Sequence, residues 1–192
     1  MLKDAVWRIP TQAKTVYLTF DDGPIPGVTE KVLAILSQHD VKATFFCLGK
    51  NVEANSRLFQ ELKSAGHQIG NHSFSHPDGW DTPNSAYFDD IESANKVINS
   101  KLFRPPYGKL SLPQYAHLKK TYRIIMWDIL TGDYNPELSP EFCFDTVKRK
   151  ARPGSIIVFH DSIKAAPQMI EALKFSVEWL KGEGYAFGLL EE

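Results

Sequence analysis

The sequence predicts an α/β fold in which about seven parallel strands form an incomplete (β/α) barrel. Three observations lead there. Runs rich in β-branched and aromatic residues alternate with segments whose apolar residues recur at helical spacing, the pattern of a parallel sheet covered by helices. The unusual polar clusters come just after the strand runs, at the end of the strands where α/β barrels carry their sites. The chain has 192 residues, short of the roughly 250 of a full eight-fold barrel, so a reduced barrel fits better. The alternation by itself also accommodates an open doubly wound sheet.

In chain order, residues 15–20 read as the first strand, and Val28, Val32, Ile35 and Leu36 as one helix face. Residues 43–48 are the second strand. Leu58, Leu62 and Ala65 mark a helix that Gly66 ends. Residues 68–70 form a short third strand. Tyr87, Ile91, Ala94 and Ile98 form the next helix face, and residues 102–103 a fourth strand. Pro113 suits the first turn of a short helix after Ser111 or Leu112. Residues 122–127 are the fifth strand. Ser139-Pro140 starts a helix, with serine as cap and proline at the first helical position. Residues 155–159 are a buried sixth strand. Ile170, Leu173, Val177 and Leu180 line the last helix, closed by Gly182, and residues 185–190 are the seventh strand.

The length fits a single domain over residues 1–192, able to bury a core without staples. The formal net charge of -1 argues against a nucleic-acid partner or an anionic membrane surface. No stretch is long and apolar enough to span a bilayer. The amino-terminal residues Met1-Leu2-Lys3-Asp4-Ala5 lack the apolar core of a signal peptide, and the compartment stays open. Cys47 and Cys143 sit in apolar runs and read as buried packing residues.

Five polar segments stand at strand ends. Thr19-Phe20-Asp21-Asp22-Gly23-Pro24 reads either as a plain Asp-Gly turn or as a cation site, because adjacent carboxylates repel without a compensating charge. Asn71-His72-Ser73-Phe74-Ser75-His76 places two histidines four apart, as metal ligands or as surface residues. With a carboxylate they make a three-ligand site with open positions. Arg104-Pro105-Pro106-Tyr107-Gly108 is a loop stiffened by two prolines, which would hold Arg104 and the Tyr107 amide in place. Asp128 and Asp133 follow the fifth strand. His160-Asp161 ends the sixth and puts a group suited to proton transfer on the same rim. His39, His67 and His117 read as structural. Trp80, in the loop after His76, reads either as a flat face for a sugar ring or as an inward anchor of its loop.

Together these segments resemble the polysaccharide deacetylase family, carbohydrate esterase family 4 with its NodB-like domain, from about Tyr17 to about Leu190. Thr-Phe-Asp-Asp-Gly-Pro and His-Ser-x-x-His look like the family's first two motifs, and Arg-Pro-Pro-Tyr-Gly is similar to the third. The segment 127–134 is similar to the fourth, and Val158-Phe159-His160 to the fifth. The resemblance implies a distorted barrel and a hydrolase that removes acetyl groups, most often from nitrogen, from an amino-sugar polymer or oligomer by metal-activated water. It implies Asp21 as general base, with Asp22, His72 and His76 as metal ligands. Arg104 would pair with Asp21, and the Tyr107 N–H would face an oxyanion. Asp133 would orient His160, the general acid. Zinc is the expected ion, and the same ligand set binds cobalt, manganese, nickel or iron. Two positions depart from the family pattern. Tyr134 stands where tryptophan is usual and Phe159 where leucine is, and both read as walls of the acetyl pocket.

Three rival readings are kept. Two histidines and a carboxylate also describe non-haem iron oxygenases, which have no need of the Asp21/Arg104 and Asp133/His160 pairs. The others are a non-catalytic carbohydrate-binding protein of the same fold and an O-acetyl (xylan) esterase.

Overall fold

The computed structural model describes residues 3–191; Met1 and Leu2 of the amino-terminal stretch, and residue 192, lie outside the described residues. In chain order come β1 (Thr15–Asp21), α1 (Thr29–Gln38), β2 (Thr44–Cys47), α2 (Gly49–Ala54), α3 (Ser56–Ser64) and β3 (Gln68–Asn71). There follow α4 (Asn84–Ile98), β4 (Leu102–Phe103), α5 (Leu112–Leu118), β5 (Arg123–Ile124) and β6 (Ile129–Leu130). The last are α6 (Pro140–Lys150), β7 (Ile156–His160), α7 (Ala166–Gly182) and β8 (Ala186–Phe187).

Seven strands pair in parallel in the order β5-β4-β3-β2-β1-β7-β6, and β8 joins β1 near its start. The edge strands β5 and β6 are consecutive in sequence, joined by the four residues between Ile124 and Ile129. A connection that short spans at most roughly 18 Å, so the sheet must curl until its edges face each other. The amino-terminal segment closes part of the gap. Val6 N–H donates to Ile124 O at 2.9 Å, Met126 N–H to Val6 O at 2.8 Å, and Ile9 N–H to Gly154 O at 2.9 Å. The result is the distorted, incomplete barrel that the sequence implies.

Strand alternation sorts the side chains. Val16, Leu18 and Phe20 of β1, Phe45 and Cys47 of β2, and Ile157 and Phe159 of β7 pack outward under the helices. Phe46, Leu102, Ile125, Ile156 and Leu190 form a separate apolar cluster, with Tyr17 and Trp127 packed against it. Thr19, Asp21 and His160 share the second register and so point into the curl. Both cysteines are free and buried, as expected. No helix among the described residues is long and apolar enough to cross a membrane.

Three expectations change. The fifth strand is only Arg123–Ile124, and a further strand, Ile129–Leu130, pairs with β7. Because Asp128 precedes that strand, it lies at the opposite end from the rim. There it accepts bonds from Ile156 N–H at 2.9 Å and Ser155 Oγ at 3.1 Å, fixing the start of β7. Phe159 is not a wall of the pocket: it is fully buried on the helix side and stacks on Phe20 at 5.9 Å, as its one-residue offset from His160 demands.

Candidate active site

The carboxyl ends of β1, β3 and β7 open into a cleft of about 470 Å³ lined by Asp21, Asp22, His72, His76, Tyr107 and His160, among others. Four residues of this rim have left-handed backbone: Asp22 (φ 87°), Ser73 (φ 72°), His76 (φ 68°) and Tyr107 (φ 58°). Each such non-glycine residue costs on the order of 1–3 kcal/mol and persists only where its surroundings hold it. These surroundings do. Asp90 of α4 accepts Phe74 N–H at 2.7 Å, Ser75 N–H at 3.2 Å and Ser75 Oγ at 2.5 Å. Asn71 Oδ1 accepts Ser73 N–H at 2.7 Å, and Ser73 Oγ accepts His76 N–H at 3.1 Å. On the other loop, Asp161 accepts Gly23 N–H at 3.0 Å and the Thr29 hydroxyl at 2.6 Å. A Cβ on Gly23 would sit 2.0 Å from that carboxylate, so only glycine fits.

Asp22, His72 and His76 present ligand atoms within 4.8 Å of one another. His72 Nδ1 lies 2.8 Å from Arg104 O, which can only accept, so Nδ1 carries the proton and Nε2 offers its lone pair. Asp22 Oδ1 is buried without a hydrogen-bond donor, 3.8 Å from His72 Nε2 and 3.4 Å from His76 Nε2. Burial, and then the neighbouring His72, pull the His76 pKa down to about 4 and keep it neutral, as a ligand must be. Electron-pair donors converging on a buried, unpartnered carboxylate oxygen fit a divalent cation.

Asp21 and Arg104 are both buried and paired, Oδ1 to Nη1 at 2.7 Å. Arg104 also donates to Thr19 Oγ1 at 2.7 Å and Met126 O at 3.1 Å, and it packs 4.1 Å over the Phe46 ring. Burial favours the neutral acid, but Arg104, with His72 and His160, outweighs it and holds the Asp21 carboxyl below its usual range. Asp133 grips His160 twice, Oδ1 to ring Nδ1 at 2.8 Å and Oδ2 to the main-chain N–H at 2.7 Å. Burial lowers the His160 pKa, but the Asp133 bond and charge prevail and raise it to about 9. Nε2 is then the nitrogen left for the cleft. Tyr107 sits in a tight turn closed by Gly108 N–H on Pro105 O at 3.0 Å, and its own N–H meets no acceptor among the described residues. Tyr134 packs edge-on against His160 at 5.3 Å and does line the cleft.

Six of the eight residues expected from the sequence line one cleft, and the other two, Arg104 and Asp133, are buried behind it, paired with Asp21 and His160. Thr19, Asn71 and Asp161 lie inside the segments singled out from the sequence, but their supporting roles are not read there, and Asp90 is missed altogether. Asp90 reads as one more solvated helix carboxylate, and nothing local ties it to His72 or His76. None of the three other histidines lines the cleft; His67 accepts Ala43 N–H at 3.2 Å and His117 stacks on Phe88 at 4.2 Å.

The polysaccharide deacetylase family model matches residues 8–122, more than half of the chain. The chain belongs to the polysaccharide deacetylase family. Its relatives include the peptidoglycan-N-acetylmuramic acid deacetylase PdaA of Bacillus subtilis, 33% identical over 98% of this chain and 74% of that protein. The chitooligosaccharide deacetylase of Azorhizobium caulinodans is 33% identical over 93% of this chain and 94% of its own length. Among solved structures, the Bc1960 peptidoglycan N-acetylglucosamine deacetylase superposes with a TM-score of 0.92 at 31% identity, covering 97% of this polysaccharide deacetylase and 91% of that chain.

Proposed function

We propose that this polysaccharide deacetylase is a metal-dependent hydrolase that removes N-acetyl groups from an amino-sugar-containing polysaccharide or oligosaccharide. One observation carries the reading: the Asp21–Arg104 and Asp133–His160 pairs border the same cleft as the Asp22/His72/His76 cluster. An oxygenase using those three ligands has no task for either pair, and a bare binding site has no task for an ionised base facing a protonated acid. The relatives named as deacetylases of amino-sugar polymers support it.

An ion held by Asp22, His72 and His76 would supply Lewis acidity for the acetyl carbonyl and the attacking water. Zinc, which suits imidazole and carboxylate ligands, is the ion expected there. The roles of the protein groups follow from their chemistry. Asp21, kept ionised by Arg104, takes a proton from the water. The Tyr107 N–H faces the oxyanion of the tetrahedral intermediate, a contribution of about 3–4 kcal/mol if it acts like other such donors. An amine leaves only when protonated, and His160, held charged by Asp133, gives that proton from Nε2. This last requirement favours an amide over an ester substrate, because an alkoxide departs with far less help from an acid.

The experiment is release of acetate from N-acetylglucosamine oligomers, peptidoglycan and acetyl-xylan, with and without added divalent metal, with equimolar free amine measured for the two amino-sugar substrates. Metal-dependent release from the amino-sugar substrates is expected. Release from acetyl-xylan alone would overturn the N-acetyl assignment, and no release from any substrate would overturn the enzyme.

A further inference from the structure

The loop after His76 carries an aromatic ring that is not part of the apolar core. Trp80 is 66% exposed, although its loop is well fixed. The fixing is done by others. Gln114, itself buried, donates from Nε2 to Gly79 O at 2.7 Å and to Thr82 O at 3.4 Å, and its Oε1 accepts Ser111 N–H at 2.9 Å. Asp78 accepts Trp80 N–H at 3.0 Å and the Lys109 ammonium at 2.5 Å. Lys109 in turn lies over the Trp80 ring, 5.1 Å from its centre, and 5.7 Å from the centre of the Tyr107 ring. Tyr107 is 61% exposed and packs edge-on against the ligand His76 at 4.6 Å. An aromatic track therefore runs from His76 through Tyr107 and past Lys109 to Trp80. Its outer ring is braced through Lys109 and open to solvent elsewhere.

A rigid, exposed indole presents apolar area at little conformational cost, with an N–H at its edge for a hydroxyl. A pyranose ring matches it, with a face of C–H groups and a rim of hydroxyls. A lone exposed aromatic is ordinary; this one is joined through Lys109 to Tyr107, which lines the cleft, and its loop is held by a network that does not need the indole. We propose that Trp80 is a distal binding site for the unreacted part of the glycan, stacking a sugar ring beyond the one that loses its acetyl group. The proposal rests on the deacetylase reading. It makes the substrate an oligomer or polymer, and chain length a determinant of rate.

The test is kcat/KM for N-acetylglucosamine oligomers from dimer to hexamer, for the wild type, Trp80→Ala and Trp80→Phe, beside thermal melts. The hexamer-to-dimer ratio of kcat/KM should exceed one in the wild type. It should fall several-fold, up to about tenfold, in Trp80→Ala, largely through KM. Trp80→Phe should restore most of it, and melting should stay in place. An unchanged ratio, or an equal loss at every length with a lowered melting temperature, would overturn the platform while leaving the deacetylase standing. If the wild type releases no acetate at all, the deacetylase reading fails by itself. The platform is then decided by titrating the hexamer into Asp21→Asn protein and following the Trp80 indole N–H by NMR: a saturable shift supports it, and no shift overturns it.

Discussion

Replacing Asp133 by asparagine isolates what one carboxylate does for His160. Asp133 holds the ring nitrogen at 2.8 Å and the main-chain N–H at 2.7 Å, and its bond and charge, with smaller contributions from Asp21 and Asp22, raise the His160 pKa from 6.5 to about 9 against the effect of burial. That difference corresponds to about 3 kcal/mol favouring the charged ring, at 1.36 kcal/mol per pH unit. Asparagine keeps the size but loses the charge. Its NH₂ facing Nδ1 also forces that nitrogen to accept, which moves the remaining proton to Nε2. With burial opposed only by the Asp21 and Asp22 charges, the histidine should titrate well below its wild-type value. The direct assay is NMR titration of His160 in metal-free protein. It should give about 9 in the wild type and a clearly lower value in Asp133→Asn. Deacetylation at pH 8 should drop by about 10²–10⁴-fold, the span of a lost proton donor. The stability consequence has a definite sign. A histidine whose folded pKa is raised stabilises fully below its unfolded value and loses that contribution as pH rises through the folded one. The wild-type advantage over Asp133→Asn should therefore be largest near pH 6 and shrink toward pH 9. A His160 that titrates at the same pH in both proteins, or a stability gap that widens with pH, would refute this reasoning.

Arg104→Met leaves the buried Asp21 carboxylate without its partner, a loss of about 3–5 kcal/mol. Denaturant unfolding at pH 8 and pH 5 should show a smaller loss at pH 5, where a protonated Asp21 no longer needs the guanidinium. Asp90→Ala frees the loop between His72 and His76. Metal competition titrations should show affinity weakened by about 10–100-fold, as for other residues that orient ligands, with the circular dichroism spectrum unchanged. Asp21→Asn should cut the rate by about 10²–10⁴-fold while elemental analysis still finds one ion per chain.

The barrel and the cleft were legible because their signals are local and repeated. Polar residues come directly after the first, third and sixth strand runs, and Asp21, Asn71 and His160 prove to be the last residues of β1, β3 and β7. What escaped depends on contacts remote in sequence or on elements too short to show a period. Ile129–Leu130 has two residues, too few for alternation to register, and missing it put Asp128 on the wrong rim. Phe159 reads as a pocket wall from its place in the family's fifth motif, although neighbouring strand residues face opposite ways. Asp90 meets the His72–His76 loop only after α4 folds back over it. Trp80 was balanced between two readings because exposure is a tertiary property; the Gln114 and Asp78 bonds show that the loop has other anchors.

The central claim is that Asp22, His72 and His76 hold the ion on which acetyl removal depends. The most direct measurement strips the protein with chelator and returns one divalent ion in substoichiometric steps, following acetate release from an N-acetylglucosamine oligomer at each step. Activity should be absent after stripping, rise linearly and saturate at one ion per chain. The same titration on His72→Ala/His76→Ala protein should stay flat, with no tight binding. Full activity in the stripped wild type, or recovery in the double variant at the same stoichiometry, would contradict it.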